Sequence, residues 1–216
     1  MDLLEHFIFI SDNVGATSAF VFFDPKGEPK IESLSEKELK IYSKFTSRKR
    51  QQEFIAGRIA CKKAFFKLTR GEKDYFEKFS SVSVLNNKTG APFIENSDLF
   101  VTLSHSHEVA VAVICDHPIG VDIERINPRK ISALKKMSSE IEPNFQNITS
   151  LTVLWTLKES LGKALQTGIV KDFRYYDTKN FRLDNGLYRC DFKNFPSFSG
   201  TATTNKNFSI ALVYPR

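Results

Sequence analysis

Val109-Ala110-Val111-Ala112-Val113-Ile114-Cys115-Asp116-His117-Pro118-Ile119-Gly120-Val121-Asp122-Ile123-Glu124 joins two strand-like runs through a turn. Val109 to Cys115 has the apolar composition of a strand, Pro118-Ile119-Gly120 turns the chain, and Val121 to Glu124 alternates apolar with acidic. Upstream, further short strands are expected at Val82 to Leu85, Pro92 to Ile94 and Leu99 to Leu103. Ala19 to Phe23 also has strand composition, as does Phe208 to Tyr214 near the end. Helices fall between them. Ser35-Glu36-Lys37-Glu38 is a capping box opening a helix to about Phe45. A longer helix is predicted from Arg48 to about Leu68, and another from Ser150 to Gln166, stopped by Gly168. In the Arg48 helix, Phe54, Ile55, Ile59, Phe65 and Phe66 are spaced to supply a core face, leaving Arg50, Arg58, Lys62 and Lys63 outside it. Long helices with mostly antiparallel strands make the fold class α+β, divided into an N-terminal half, 1–117, and a C-terminal half, 118–216.

The 216 residues suffice for one large domain or two small ones, and 41% of them are hydrophobic, an ordinary globular share. No apolar run approaches the ~20 residues of a bilayer span. The opening MDLLEHFIFI lacks a cationic leader region, so it is expected to be an edge strand rather than a signal peptide. Cys61, Cys115 and Cys190 lie far apart and are odd in number, which fits buried thiols in a reducing compartment, hence a cytoplasmic protein. The net charge of +6 is uneven: between Lys26 and Lys78 fifteen Lys and Arg face eight Asp and Glu. A basic half suits an anionic partner, whether nucleic acid, a phosphorylated small molecule or an acidic protein surface.

Chemistry concentrates after Cys115. Asp122 and Glu124 are two apart on a strand and share a face, where their repulsion favours a divalent cation. Trp155, Glu159 and Lys163 follow at i, i+4 spacing and form one helix stripe, presenting a third carboxylate beside an ammonium. Mg²⁺ suits such a set, with Mn²⁺ also compatible, because it takes oxygen ligands and leaves positions for substrate phosphates. Thr102-Leu103-Ser104-His105-Ser106-His107 offers hydroxyl and imidazole donors at a turn, suited to phosphate. A serine hydrolase reading fails there, since neighbouring strand residues face opposite ways and no G-x-S-x-G elbow precedes Ser104. Zinc held by His105, His107, Cys115 and His117 matches none of the common spacings. Asn86-Asn87-Lys88-Thr89-Gly90-Ala91-Pro92 is a turn whose glycine permits close backbone approach.

In combination these motifs resemble the 4′-phosphopantetheinyl transferases, in particular the large class that modifies peptide and polyketide synthetases. The pattern G-x-D-x-E is met by Gly120 to Glu124, and W-x-x-K-E-S/A-x-x-K by Trp155 to Lys163. Ser104-His105-Ser106 resembles the family's S-H-S element, and Phe54-Ile55-Ala56-Gly57-Arg58 its F-x-x-G-R helix. The resemblance implies a pseudo-two-fold tandem of two similar α+β halves with the active site between them. It implies Mg²⁺-dependent transfer of phosphopantetheine from coenzyme A to a serine of an apo acyl or peptidyl carrier protein, releasing adenosine 3′,5′-bisphosphate. Asp122, Glu124 and Glu159 would bind the metal, and Glu159 would help deprotonate the serine. Lys163, Ser104 and His105 would hold phosphates, with Asn86, Lys88, Gly90 and Pro92 against the adenine end. The partners implied are coenzyme A and the carrier, with no nucleic acid and no membrane, and the length implies a monomer. Two departures are visible: Ala91 stands where the family has lysine in G-K-P, and Met137-Ser138-Ser139-Glu140 where it has F-S-x-x-E. Two other readings use the same features. A Mg²⁺-dependent nuclease or phosphodiesterase would use the three carboxylates, and a nonenzymatic nucleic-acid binder only the basic helix.

Overall fold

The structure, a computed structural model, describes residues 2–71, 76–137 and 145–216. It is α+β, with helices packed on antiparallel sheets. The first half contains α1 (Leu3–Asn13), β1 (Thr17–Phe22), α2 (Glu36–Tyr42), α3 (Arg48–Arg70), β2 (Val84–Asn86), β3 (Pro92–Ile94), β4 (Phe100–Ser106) and β5 (Val109–Cys115). The second contains β6 (Gly120–Arg125), α4 (Ile131–Met137), α5 (Ile148–Ala164), β7 (Thr178–Asp184), β8 (Leu187–Phe192), β9 (Phe198–Thr204) and β10 (Phe208–Pro215). Each half lays one long helix on an antiparallel sheet, α3 on the order β1-β5-β4 and α5 on the order β6-β10-β9-β8-β7. β2 and β3 form a separate hairpin.

Four expectations are corrected. The opening segment is a helix, not an edge strand. Asp2 caps it and Glu5 returns a bond to the Asp2 amide at 3.1 Å, while Leu3, Phe7 and Ile10 fall on one buried helical face. A short apolar run fits either period, and the cap decides it. Ser104 and His105 lie on strand β4 rather than at a turn; the chain turns at His107, whose φ is 56°. Arg58 and Lys62 are buried, not outside the α3 core face, because Glu38 meets them there. The first upstream strand also starts later than expected, at Val84, since Val82 closes the preceding 3₁₀ turn onto Phe79.

The halves are held together in two ways. α1 drops Leu3, Phe7 and Ile10 into one apolar cluster with Val111 and Val113 of β5, Val121 and Ile123 of β6, and Ile210 and Leu212 of β10. β4 and β6 then run side by side, joined through side chains: the Val121 amide donates to Thr102 Oγ1 and the Arg125 amide to Ser106 Oγ, each at 3.1 Å. The alternate hydroxyls of Thr102, Ser104 and Ser106 thus face the second half, while Leu103 packs toward α3.

Candidate active site

Gly120 sets the geometry. A Cβ there would lie 1.8 Å from the Ser160 carbonyl oxygen, so the β6 and α5 main chains approach as only glycine permits. That contact carries Asp122 beneath the helix stripe. Asp122 points to the α5 side of its sheet, opposite the Val121 and Ile123 core. Lys163 Nζ donates to Asp122 Oδ1 at 2.7 Å, and Ser104 Oγ of β4 donates to the same oxygen at 2.7 Å. Asp122 is buried, and its Oδ2 has no hydrogen-bond partner among the described residues. Burial pushes the Glu159 carboxyl above its usual range, and the charges of Asp122 and Glu124 push the same way while Lys163 opposes them. The three carboxylates therefore feel one another, and the half-buried Glu124 is also met by Lys130 at 3.5 Å.

Among the described residues no three His, Cys, Asp or Glu side chains stand close enough to enclose a metal ion. Lys163 balances Asp122 instead. The donor set still fits a hard cation: the acids offer only oxygen, and one of those oxygens is buried and unpartnered.

The first half closes the other side. His105 Nδ1 sits 3.9 Å from Glu53 of α3. Burial lowers the His105 pKa, Glu53 opposes the shift, and Lys163 and Arg50 reinforce it. A neutral imidazole results at neutral pH, with nitrogens able to donate or accept. His107 and His117 do not join it, and the Cys115 thiol faces the His117 carbonyl at 3.0 Å. The zinc alternative therefore has no geometry among the described residues.

The Asn86 to Pro92 loop is stiffened from within. Asn87 Oδ1 accepts from the Thr89 amide, the Thr89 hydroxyl and the Ala91 amide at 2.7 to 3.0 Å, and Gly90 takes a φ of 88°. Lys88 is exposed on it. Asn87, Pro92 and Phe93 line a cavity of about 330 Å³ with Leu99, Phe100, Val101 and Gln166, which lies just past α5. The loop and the Lys163 end of α5 thus share one opening between the halves.

The structure brings Ser104, His105, Asp122, Glu159 and Lys163 together and places Asn86, Lys88, Gly90 and Pro92 on one loop nearby. Sequence reasoning missed Glu53 and Gln166, and quoted Thr102, Ser106 and Asn87 within its donor run and loop without giving each a contact. Of these, only the period of two in Thr102-x-Ser104-x-Ser106 carried a readable signal. The motif lysine Lys158 turns away, donating to Asp177 Oδ1 at 2.8 Å, the Phe173 carbonyl at 2.9 Å and the Met137 carbonyl at 3.2 Å. The segment expected to replace F-S-x-x-E lies, apart from Met137, outside the described residues.

Residues 38–115 match the family model described as the 4′-phosphopantetheinyl transferase N-terminal domain, and residues 118–213 that of the 4′-phosphopantetheinyl transferase superfamily. A 4′-phosphopantetheinyl transferase, gsp, of Aneurinibacillus migulanus is 34% identical over 105 residues, 45% of this chain and 42% of the relative. A holo-[acyl-carrier-protein] synthase of Enterococcus faecalis is 41% identical over 85 residues, 38% of this chain and 71% of the relative. The corresponding synthase of Petrotoga mobilis is 32% identical over 92 residues, 37% of this chain and 74% of the relative. The match thus spans less than half the length of the first relative and over two thirds of the other two.

Proposed function

The chain belongs to the 4′-phosphopantetheinyl transferase superfamily, and on that premise we propose that it moves the phosphopantetheine arm of coenzyme A onto a serine of an apo carrier protein. The observation that carries this reading is Asp122, with one oxygen shared by Lys163 and Ser104 and the other buried without a partner, beside an elevated Glu159. In the transfer, the carrier hydroxyl oxygen bonds to the phosphorus next to the pantetheine, and that phosphorus releases the oxygen of adenosine 3′,5′-bisphosphate. Mg²⁺ or Mn²⁺ held by Asp122, Glu124 and Glu159 would supply neutralisation of the pyrophosphate charge.

The chain's own groups do the rest. Lys163 is placed to pair with a phosphate oxygen in exchange for Asp122 Oδ1, and Ser104 Oγ and neutral His105 offer hydrogen bonds to the others. Glu159 accepts the serine proton. The Asn86 to Pro92 loop takes the adenine end. The nucleophile belongs to the carrier, consistent with free cysteines that are all buried. Both walls of the cleft come from one chain, which supports action as a monomer. The buried thiols suit the cytoplasm, and no helix among the described residues is long and apolar enough to cross a membrane.

The test is the intact mass of an apo carrier after incubation with this protein, coenzyme A and Mg²⁺, with a chelator control. A gain of one phosphopantetheine, absent with chelator, is expected. Absence of any gain across several carriers, together with metal-dependent cleavage of an oligonucleotide, would replace the transferase with a phosphodiesterase.

A further inference from the structure

Beneath the Asn86 to Pro92 loop lies a group of buried charges that the reaction does not use. Glu38 and Lys62 are fully buried, and Arg58 nearly so. Lys62 Nζ donates to Glu38 Oε2 at 2.5 Å and to the Ser33 carbonyl at 2.8 Å, and Arg58 Nε lies 4.0 Å from Glu38 Oε1. One acid thus faces two cations in the interior, where burial pushes both the Lys62 and Arg58 pKa values down and Glu38 offsets part of the shift. Such a cluster is a poor source of stability compared with apolar packing.

Its contacts indicate what it does. Glu38 Oε1 accepts from the amide of Val84, the first residue of β2, at 2.9 Å. Arg58 Nη2 donates to the side-chain carbonyl of Asn86, the last residue of β2, at 2.6 Å. Asn86 Nδ2 in turn donates to the Gly90 carbonyl at 2.6 Å, inside the loop. The guanidinium is kept in place by the Phe54 ring, 4.3 Å away. Both ends of the strand that delivers the loop are therefore tied to the same buried charges.

We propose that the Glu38, Arg58 and Lys62 cluster is a positioning device for the Asn86 to Pro92 loop, with Arg58 acting through Asn86, and that it sets how tightly the nucleotide end of coenzyme A is held. The proposal rests on the transferase reading. It bears on the departure at Ala91: lacking the family's lysine there, the loop grips through backbone shape, and shape has to be held from below. Arg58 is a positioning residue, not a catalytic one.

The test uses the whole chain in four forms: wild type, Arg58→Lys, Asn86→Ala and the double variant. Coenzyme A binding is measured by calorimetry, KM separately for coenzyme A and for the carrier, and amide exchange at Gly90 and Ala91. Hydrogen bonds to charged groups at this strength predict about tenfold weaker coenzyme A binding in each single variant. The double variant should be no weaker than the worse single one, since both cut one chain of contacts. Exchange at the loop should accelerate in Arg58→Lys, with kcat at saturating coenzyme A and the carrier KM within about twofold of wild type. Asn86→Ala alters an exposed side chain of the loop itself, so it is read by loop exchange in the unliganded protein, which a lost direct contact to coenzyme A would not move, and it reports even where Arg58→Lys folds poorly. Unchanged coenzyme A affinity in Asn86→Ala, losses that multiply in the double variant, or loop exchange unmoved in both single variants would each overturn the proposal. A wild type that binds no coenzyme A, yet whose loop exchange accelerates in Arg58→Lys, would remove the transferase reading and leave the positioning role standing.

Discussion

Replacing Lys62 by methionine removes an ammonium from the interior while keeping most of the stem's volume, and isolates the value of its pairing with Glu38. Lys62 and Glu38 are both fully buried, so the carboxylate left behind cannot recruit bulk water. Breaking a buried pair from one side costs about 3–5 kcal/mol. Glu38 would keep the Ser35 amide at 2.8 Å, the Val84 amide at 2.9 Å and the Arg58 guanidinium at 4.0 Å. Those partners place the expected loss at the lower end, about 3 kcal/mol, which for a domain of this size lowers Tm by about 6–12 °C. Adding Glu38→Gln removes the stranded carboxylate charge but takes one acceptor from the Ser35 and Val84 amides and the counter-charge from Arg58, so the double variant should stay below wild type yet be less unstable than the summed singles. Urea unfolding of the two singles and the double, with m-values compared, measures each quantity. A Lys62→Met loss below about 1 kcal/mol, or a double variant as unstable as the summed singles, would refute the claim that the pair is coupled in the core.

Gly120→Ala should destabilise by about 3 kcal/mol or more, seen as a fall in the urea midpoint, because its Cβ would meet main-chain atoms of Ser160 and Ala164 that have no flexible side chain to yield. Phe7→Ala, in a ring fully buried beneath both sheets, should cost about 3–5 kcal/mol in the same assay, and unfolding followed at Trp155 should shift with it, since α1 closes a core common to both halves. Burial pushes the Cys61 thiol up to about 12 and the Cys115 thiol to about 11, and raises Cys190 further, so a thiol reagent at pH 8 should label none of them until urea unfolds the chain. Asp122→Ala and Glu159→Ala should each abolish carrier modification by mass spectrometry while circular dichroism stays native; turnover retained in both would remove the metal model.

Much of the fold was legible where a local signal and the tertiary environment agree. The Ser35 capping box, the start of α3 at Arg48 and the run Val109 to Cys115 all stand where local chemistry alone puts them, whereas α5 ends at Ala164, ahead of Gly168, with Gln166 in the left-handed conformation. The failures have two causes: the Asp2 and Glu5 cap of the opening helix is a local signal that its apolar run obscures, while for Arg58 and Lys62 a partner distant in sequence decides the outcome. Met1 to Ile10 is short and apolar enough for strand or helix, and its helical face matters only because β5, β6 and β10 meet beneath it. Arg58 and Lys62 resemble a solvated stripe until Glu38, twenty residues or more upstream, is folded against them.

The site divides along the same line. Asp122 and Glu124 share a strand face and Glu159 and Lys163 a helix stripe by spacing, while their reading as one site rested on the resemblance to the family's two motifs. What spacing does not convey is that Lys163 and Ser104 converge on the same Asp122 oxygen from opposite halves. That convergence depends on two close approaches, Gly120 against Ser160 and the Thr102 to Ser106 hydroxyls against β6, and both are properties of packing rather than of either motif. Asp122 is consequently held by the two neighbours that, on the transferase reading, would turn to a substrate phosphate, Lys163 and Ser104. On the transferase reading, turning Lys163 and Ser104 to a phosphate would leave Asp122 Oδ1 as bare as its buried Oδ2, so loading the cleft calls for a cation to take their place at that carboxylate.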